Sequence, residues 1–533
     1  MVRGSMATEA SSSPADFDIG ADQNLPSVLF RKGRPERDFG DQPECFIDLN
    51  LDQAVASIAA GRDEYDIKTF FYEPLQHVDD VIYRQEVFRD LDDKELRSKI
   101  LAFGEGMRGV RDLLKSAARA SYEMERQAWF LDAVHAFSDL VKNLTIALCS
   151  LPVTSRGFFR LRRYLDGYVH SETFSALSRE ADAIKDALGE VLLSIVIGAD
   201  GFQVKKPAEE QDYNAAVERT FQKFRQGQVK NYKVSPSTDR FMNHIEAAIV
   251  AFAGELYPDV FKRLADYCAA NSEFIDPVLA SFDREVQFYL AYLDHTEKLA
   301  AHGLPFCYPD TRRSLEDTDV FAHDAFDIAL AEKLVRTKGV VVVNDFMLRG
   351  RERILVVTGP NQGGKTTFAR MFGQMHYLAS LGCPVPGRKA KLILADAIWT
   401  HFEREENLES QQGKLQDDLF RIRQILLRAS PDSIVLLNEI FTSTMLEDAV
   451  YLSRRVMTEL IRRGVLAVWV TFIEELANFS EETVSVVSGV RAADPTVRTF
   501  KIERRAPDGL SHAMSIARKY GVTRACLMER LRS

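Results

Sequence analysis

The sequence has 533 residues, of which 46% are hydrophobic and 27% are charged, and a formal net charge of -10. A chain of this length exceeds what one hydrophobic core supports, so we expect two or three folding units. The composition is that of a globular protein, and no run of about 18 apolar residues predicts a membrane-spanning helix. The acidic balance excludes a broadly basic surface, so any contact with nucleic acid requires a local cluster of Lys and Arg.

Six cysteines are spread along the chain, and no two of them have the short spacing of zinc or redox sites. We expect reduced thiols and a cytoplasmic protein, because disulfides rarely persist in the cytosol. Residues 1–44 are predicted to be a flexible N-terminus. The first residues, MVRGSM, resemble an expression scar before a native Met6, and the Ser/Ala-rich stretch after them lacks the apolar core of a signal peptide.

Residues 45–308 are predicted to form a mainly α-helical domain. Apolar side chains recur there at spacings of three and four, which indicates helices with one buried face. The clearest stripe comprises Leu279, Phe282, Val286, Leu290 and Leu293. We interpret such stripes as the core of a helical bundle and not as a cofactor site.

A locally basic segment interrupts these helices at about residues 200–240. Its lysines include Lys205, Lys206, Lys230 and Lys233, and short β-prone runs bounded by turn formers lie within it. A solvated surface explains this pattern, and so does a tip of long helices that contacts phosphates; the sequence leaves both open. In the second case these four lysines are the candidate contacts to DNA.

The sequence pattern changes after a polar linker at residues 309–319. Short β-branched runs at 340–343, 354–358, 434–437 and 465–471 alternate with helical stretches. This alternation predicts an α/β domain with a largely parallel sheet over residues 320–533.

Residues 359–366 read GPNQGGKT and match the phosphate-loop pattern G-x-x-x-x-G-K-[ST] between a predicted strand and a predicted helix. Glycines let backbone N–H groups turn towards phosphates, and the helix N-terminus adds a favourable dipole. Lys365 is predicted to reach the β- and γ-phosphates, and Thr366 to bind Mg²⁺. The expected nucleotide contacts are Gly359, Pro360, Asn361, Gln362, Gly363, Gly364, Lys365, Thr366 and Thr367.

A polar pair follows the apolar run at 434–437. Asn438 and Glu439 occupy the place where phosphate-loop enzymes carry a magnesium-side acid and a water-activating base. Glu439 is the candidate general base. Asn438 is the candidate metal-side residue, but a neutral amide contributes no charge, so we expect weakened magnesium affinity. These motifs predict a phosphate-loop NTP hydrolase.

Together the motifs resemble those of the MutS family. TGPNQGGKTT at residues 358–367 is similar to the family's phosphate loop, and VND at 343–345 to the segment before that loop. NEI at 438–440 and TST at 442–444 resemble its DEI and TST motifs, and DGLSHA at 508–513 looks like its C-terminal dimer-associated segment. Weaker matches at 72–75 and 82–87 extend the resemblance into the helical half.

The resemblance implies a helical core and lever domain followed by an ABC-type ATPase domain. It implies ATP and Mg²⁺ as cofactors, Asn344 as a neighbour of the adenine, a clamp position for the 200–240 insertion, and a homodimer with composite nucleotide sites. DNA becomes the expected partner, and no membrane association is expected. Too few residues precede the helices for the family's mismatch-recognition and connector domains, so we expect no mismatch specificity.

Departures from the family pattern bear on catalysis. Asn438 stands where the family has an aspartate, and the family's glycine-rich turn after DEI is shortened here to Phe441. Phe472 stands where the family has a switch histidine, and a phenyl ring cannot hydrogen-bond to phosphate. The family's trans-acting serine falls near Lys414. We hypothesise that Lys414 of one subunit approaches the γ-phosphate bound by the other; the alternative is an exposed lysine at the start of a helix.

These observations predict a slow ATPase that couples the nucleotide state of its C-terminal domain to clamping of DNA by helical arms. The alternative is a nucleotide-gated scaffold whose arms hold a protein and not DNA. A small-molecule phosphotransferase is less favoured, because no acceptor-binding motif accompanies the phosphate loop.

Overall fold

A computed structural model of the chain describes residues 26–33, 40–198, 201–207, 241–313, 319–402, 413–491, 494–507 and 523–524. A mainly helical N-terminal part is followed by a C-terminal α/β part, and one hydrophobic core extends through both. Within the described ranges, no helix has the length and apolar character needed to span a lipid bilayer.

The N-terminal part consists mostly of helices. They are α1 (Cys45–Leu49), α2 (Leu51–Ile58), α3 (Val78–Leu91), α4 (Lys94–Arg119), α5 (Glu123–Ser150), α6 (Arg156–Val169), α7 (Glu172–Gly189), α8 (His244–Leu256), α9 (Pro258–Ala270) and α10 (Pro277–Ala300). Short 3-10 turns occupy Asp63–Tyr65 and Ile67–Phe71. The stripe predicted from Leu279 to Leu293 lies on α10 and is buried in the core, which confirms its structural interpretation.

The longest helices, α4 and α5, lie along each other over most of their length. Asp93 begins α4 by accepting a hydrogen bond from the Leu96 amide at 2.8 Å, which satisfies a backbone group that the first turn leaves unpaired. Only three residues separate the two helices, so the chain reverses direction and forms an antiparallel arm. At about 1.5 Å per residue, this arm is about 40 Å long.

A β-hairpin, β1 (Ser194–Gly198) with β2 (Gly201–Lys205), stands at the start of the predicted basic insertion. Lys205 ends β2, and the Nζ atom of Lys206 lies 4.5 Å from the centre of the Tyr257 ring. Lys230 and Lys233 lie outside the described residues. The contact with Tyr257 gives Lys206 a local structural partner, and its proposed DNA contact stays a prediction.

The N-terminal residues 26–33 are inserted into the helical part. Val28 and Leu29 are each 1% exposed. The carboxylate of Glu285 accepts from the Ser27 hydroxyl at 2.7 Å and from the Val28 amide at 3.0 Å, and the Tyr289 hydroxyl donates to the Val28 carbonyl at 2.6 Å. The prediction of a flexible N-terminus over 1–44 is therefore wrong for residues 26–33, because their backbone polar groups have buried partners that a local sequence pattern does not reveal.

The α/β part is built on a six-stranded sheet. Its strands in spatial order are β10 (Ile398–Phe402), β11 (Ile434–Asn438), β12 (Leu466–Val470), β7 (Ile354–Thr358), β13 (Thr483–Arg491) and β14 (Asp494–Arg504). All neighbours are parallel except β13 and β14, which confirms the predicted largely parallel sheet. Its helices are α11 (Ile328–Arg336), α12 (Lys365–Ser380), α13 (Lys414–Arg428) and α14 (Leu446–Arg463), with a 3-10 turn at Glu474–Asn478.

A second sheet lies beside the first. Its strands in spatial order are β4 (Asp310–Arg312), β9 (Lys389–Ile393), β5 (Val320–Ala325) and β6 (Asn344–Leu348), while β3 (Phe306–Cys307) pairs with β8 (Val385–Pro386). The strand predicted at 340–343 is wrong, since β6 begins at Asn344. The β-branched run before it precedes the hydrogen-bonded ladder, where strand propensity alone does not produce pairing.

Helix α12 is held between the large sheet and the N-terminal part. The Arg370 guanidinium donates to the Asp48 carbonyl at 2.9 Å, and the Gln374 amide donates to the Leu49 carbonyl at 2.8 Å. Gly373 leaves room for this approach, because a Cβ atom there would lie 2.7 Å from a Leu49 methyl carbon. Helix α1 is thus seated on the α/β part, and the position of α12 is fixed from both sides.

Candidate nucleotide site

The segment 359–364 joins the end of β7 to the first residue of α12 through a loop with left-handed backbone. Gly359 and Gly364 have φ angles of 114° and 90°, and Gln362 has a φ of 59°. L-residues with side chains disfavour such angles, whereas glycine adopts them freely. Pro360 is buried, while Asn361 and Gln362 are exposed. The predicted phosphate loop therefore has the strand, the turn and the helix N-terminus that its motif requires.

Ser488 on β13 packs against this loop and hydrogen-bonds to it. Its buried hydroxyl donates to the Gly363 carbonyl at 2.7 Å. A Cβ atom on Gly363 would lie 2.2 Å from that hydroxyl oxygen, and one on Gly359 would lie 3.0 Å from the Ser488 amide nitrogen. Both positions need glycine for space. Ser488 was not predicted from the sequence, because nothing in the strand distinguishes it from the neighbouring Ser485.

Lys365 lies at the centre of the loop and is 5% exposed. Its ammonium donates to the Gly359 carbonyl at 3.0 Å and to the Asn361 side-chain oxygen at 3.1 Å. The same Nζ atom lies 3.4 Å from Glu439 Oε1. The two predicted catalytic residues are therefore neighbours, and the lysine charge is balanced by oxygen atoms that a phosphate could replace.

Thr366 and Asn438 also come together. The Thr366 hydroxyl, in the first turn of α12, donates to the Asn438 side-chain oxygen at 2.9 Å, and Asn438 ends β11. Hard cations such as Mg²⁺ prefer oxygen ligands and are usually bound with substrate phosphates and water. The oxygens of Thr366 and Asn438 carry no charge. They fit a Mg²⁺ ion whose positive charge is neutralised by the triphosphate to which it is bound. Thr367 follows on α12 and is partly exposed.

The turn that carries Glu439 is conformationally strained. Glu439 and Phe441 have φ angles of 52° and 61°. Left-handed backbone of this kind costs about 1 to 3 kcal/mol per residue and persists where surrounding structure enforces it. The Glu439 amide donates to the Val470 carbonyl at 2.9 Å, and the Phe441 ring is completely buried.

A buried hydrogen-bonded pair adjoins the same turn. His401 on β10 and Asp418 on α13 are 4% and 8% exposed, and His401 Nε2 lies 2.8 Å from Asp418 Oδ1. The other carboxylate oxygen, Oδ2, accepts from the Phe441 amide at 3.3 Å. Neither residue was predicted from the sequence, because 17 positions separate them and no motif joins them.

Asn344 has a structural task that the sequence did not predict. Its side-chain amide donates to the Phe500 carbonyl at 3.1 Å, and its side-chain oxygen accepts from the Ile502 amide at 2.8 Å. The residue thereby joins β6 to β14. Phe500 has a φ of 58° and is 48% exposed, and its ring lies 3.7 Å from where a Cβ of Gly364 would stand. An adenine contact by Asn344 stays a prediction.

Phe472 and Lys414 are two further residues that the sequence singled out. Phe472 follows β12 and is 49% exposed, so its ring is not part of the core. Lys414 is the first residue of α13 and is partly exposed. The dimer-associated segment predicted at 508–513 lies outside the described residues.

Comparisons with known proteins identify the same region. Residues 355–529 match the family model for MutS domain V. A DNA mismatch repair protein MutS of Thermotoga maritima is 25% identical over 297 residues, which are 54% of this chain and 35% of that protein. The corresponding protein of Thermotoga neapolitana is 29% identical over 274 residues, 50% of this chain and 32% of that protein. An endonuclease MutS2 of Thermus thermophilus is 30% identical over 183 residues, 33% of this chain and 24% of that protein.

The chain thus covers about a third of the length of these MutS relatives and about a quarter of the MutS2 relative. The domain V match includes the phosphate loop, the pair Asn438 and Glu439, and the C-terminal segment. The geometry of the loop and these matches agree, and residues 355–529 are similar to domain V of MutS proteins.

Proposed function

We propose that this protein is an ATPase of the MutS type, in which the nucleotide state of the α/β domain controls helical arms that close around DNA. The observation that carries the proposal is the convergence of Lys365, Glu439, Thr366 and Asn438 at the phosphate loop, with separations of 3.4 Å and 2.9 Å within the two pairs. A homodimer and a cytoplasmic location are parts of the same proposal.

Each residue has a defined task in this proposal. The loop amides and Lys365 bind and orient the triphosphate, and Thr366 with Asn438 holds the cation side. Bound Mg²⁺ would supply positive charge against the phosphate oxygens. Glu439 orients a water molecule for attack on the γ-phosphate and accepts its proton. In the absence of nucleotide, Glu439 pairs with Lys365. When ATP binds, phosphate oxygens replace Glu439 as the partner of the Lys365 ammonium.

Slow turnover follows from two side chains. Asn438 supplies an oxygen atom without negative charge, so the cation is held less tightly than by a carboxylate. Phe472 presents an exposed ring where the family pattern has a histidine, and that ring cannot donate a hydrogen bond to phosphate. ATP then controls the protein mainly by binding more tightly to the state with closed arms than to the state with open arms, and not by rapid hydrolysis.

A buried arginine offers a route from the nucleotide to the arms. Arg84 on α3 donates to the Leu381 carbonyl at the end of α12 at 3.1 Å, and to the Leu29 carbonyl at the same distance. Arg84 is 2% exposed, and α3 leads directly into the arm formed by α4 and α5. A shift of α12 upon phosphate binding would therefore be passed to the base of the arm.

DNA is favoured as the object of the arms because the MutS relatives are named as DNA mismatch repair proteins. The net charge of -10 is the observation that favours the second candidate, a nucleotide-gated scaffold for a protein partner. Steep salt dependence separates the two candidates, because each phosphate contact releases a condensed counterion.

The test measures ATP turnover of the intact chain and of Glu439→Gln, with and without plain, mismatched and branched duplex DNA. We expect slow turnover that DNA changes and that Glu439→Gln lowers about a hundredfold without abolishing it, while ATP binding remains. Binding of DNA should weaken with salt, less steeply for Lys205→Ala/Lys206→Ala than for the control Lys94→Ala/Lys99→Ala on α4. If none of the DNA substrates changes the rate of ATP turnover, and no salt-dependent DNA binding is found, the protein-scaffold candidate is favoured.

A further inference from the structure

The His401 and Asp418 pair lies outside every motif that the proposed function uses. Asp418 is on the buried face of α13, one helical turn after Lys414, and it links two other elements. Its Oδ1 faces His401 on β10, and its Oδ2 accepts from the Phe441 amide in the turn after β11. A single buried carboxylate thus connects a helix, a strand and the turn that carries the proposed base.

The turn needs such a contact. Glu439 and Phe441, two residues apart, both adopt left-handed backbone although neither is glycine. The hydrogen bond from Glu439 to the Val470 carbonyl holds the start of the turn. Burial of the Phe441 ring and the hydrogen bond from its amide to Asp418 hold its end. Without an acceptor, the Phe441 amide would be a buried and unsatisfied donor, which costs about 1 to 3 kcal/mol.

The orientation of Asp418 is in turn fixed by His401. The histidine Nε2 donates to Oδ1, and the carboxylate is thereby held with its second oxygen towards the turn. The two side chains are only 5% and 11% exposed, so water competes little for these hydrogen bonds. His401 and Asp418 together connect α13 to the turn that carries Glu439.

We propose that Asp418 is a positioning residue that sets the carboxylate of Glu439 through the Phe441 amide, and that His401 orients Asp418 for this task. This inference rests on the proposed ATPase function for its effect on turnover. It also couples α13 to the base. A displacement of the helix start at Lys414 would move Asp418, one helical turn further on, and through the Phe441 amide it would move the turn that carries Glu439. Small displacements of a catalytic group are expected to change the rate more than the binding of substrate.

The experiment compares Asp418→Ala, Asp418→Asn and the control Asp417→Ala, which alters the neighbouring acid on the same helix. Asp418→Ala should lower kcat about tenfold and leave the KM for ATP nearly unchanged, since the phosphate loop is intact. In Asp418→Asn the side-chain oxygen can still accept from the Phe441 amide, while the new NH₂ group faces His401. His401 then carries its proton on Nδ1, so that Nε2 accepts. This variant should therefore retain most of the turnover. Asp417→Ala should match the wild type.

Two further measurements make the test decisive. In a Glu439→Gln background, Asp418→Ala should cause no additional loss of turnover, because its effect passes through that base. Hydrogen exchange should accelerate in the peptide that contains Phe441 and stay unchanged in the phosphate loop. An unchanged kcat in folded Asp418→Ala, an additive loss with Glu439→Gln, or unchanged exchange at Phe441 would overturn the proposal. If the wild type lacks turnover, the proposed ATPase function fails, and hydrogen exchange still decides whether Asp418 holds the turn.

Discussion

Replacing Asn438 by aspartate is predicted to strengthen Mg²⁺ binding while weakening the protein without metal. Asn438 is 8% exposed, and its side-chain oxygen accepts from Thr366 at 2.9 Å. Aspartate has nearly the same shape, so that hydrogen bond survives the change. The new negative charge would face the cation beside Thr366, but without a cation it would stand next to Glu439 in the chain and repel it.

The size of this effect can be estimated from the charge alone. Two unit charges about 4 Å apart interact by about 4 kcal/mol at an effective dielectric constant of 20. Hydration of the ion and desolvation of the carboxylate remove much of this energy, so we expect a net gain near 1.4 kcal/mol, about tenfold in affinity. In the absence of metal we expect a loss of about 1 kcal/mol in the free energy of unfolding.

The assay titrates Mg²⁺ at a fixed, saturating ATP concentration and records nucleotide binding, with Asn438→Ala as the control that lacks the oxygen. Asn438→Asp should reach half-maximal binding at about one tenth of the Mg²⁺ concentration that the wild type needs. It should also melt at a lower temperature in chelator and at the wild-type temperature or above with Mg²⁺ and ATP. An unchanged magnesium requirement in folded Asn438→Asp would refute the placement of Asn438 at the cation.

Three other substitutions test separate parts of the structure. Gly363→Ala should weaken ATP binding about tenfold through its clash with the Ser488 hydroxyl, and Ser488→Gly should restore part of the affinity in the double variant, as calorimetry would show. Desolvation raises the pKa of Asp283 to about 6, with Arg111 opposing the shift, so the folded state keeps a proton that the unfolded chain releases. The wild type should therefore lose up to about 3 kcal/mol of unfolding free energy relative to Asp283→Asn as the pH rises from about 4 to about 6, measured by urea unfolding. Lys414→Ala should reduce turnover in the proposed homodimer, and wild-type turnover in this variant would remove the hypothesis that Lys414 acts in trans.

The local features of the fold were readable from the sequence. The phosphate loop, the strand before Asn438 and the stripe on α10 each follow from a periodicity or spacing within about 20 residues. Lys365, Thr366, Asn438 and Glu439 were found because their motif fixes which elements carry them. The parallel order of the strands followed from the alternation of strand and helix.

Features that depend on distant partners could not be read in this way. The insertion of residues 26–33 depends on Glu285 and Tyr289, more than 250 positions away. Ser488 reaches Gly363 across 125 positions. The task of Asn344 became visible only with the position of β14. In each case a single polar atom finds its partner through the tertiary fold, and no local pattern encodes that pairing.

The position of the hairpin formed by β1 and β2 was partly predicted from the sequence, but the role of its lysines was not. Strand β2 follows the β-prone run that turn formers bound, and Lys206 lies near Tyr257. Composition alone does not decide whether its lysines contact phosphate or water. Only binding measurements at several salt concentrations separate these two roles.

Direct titration of the intact chain with ATP in saturating Mg²⁺ tests the central claim most simply, with Lys365→Met as the matched variant. We predict saturable binding of one ATP per chain, and a large loss of affinity when the buried ammonium beside Glu439 is removed. Absence of ATP binding by the wild type, or equal binding by Lys365→Met, would contradict the assignment of residues 359–366 as the nucleotide cradle.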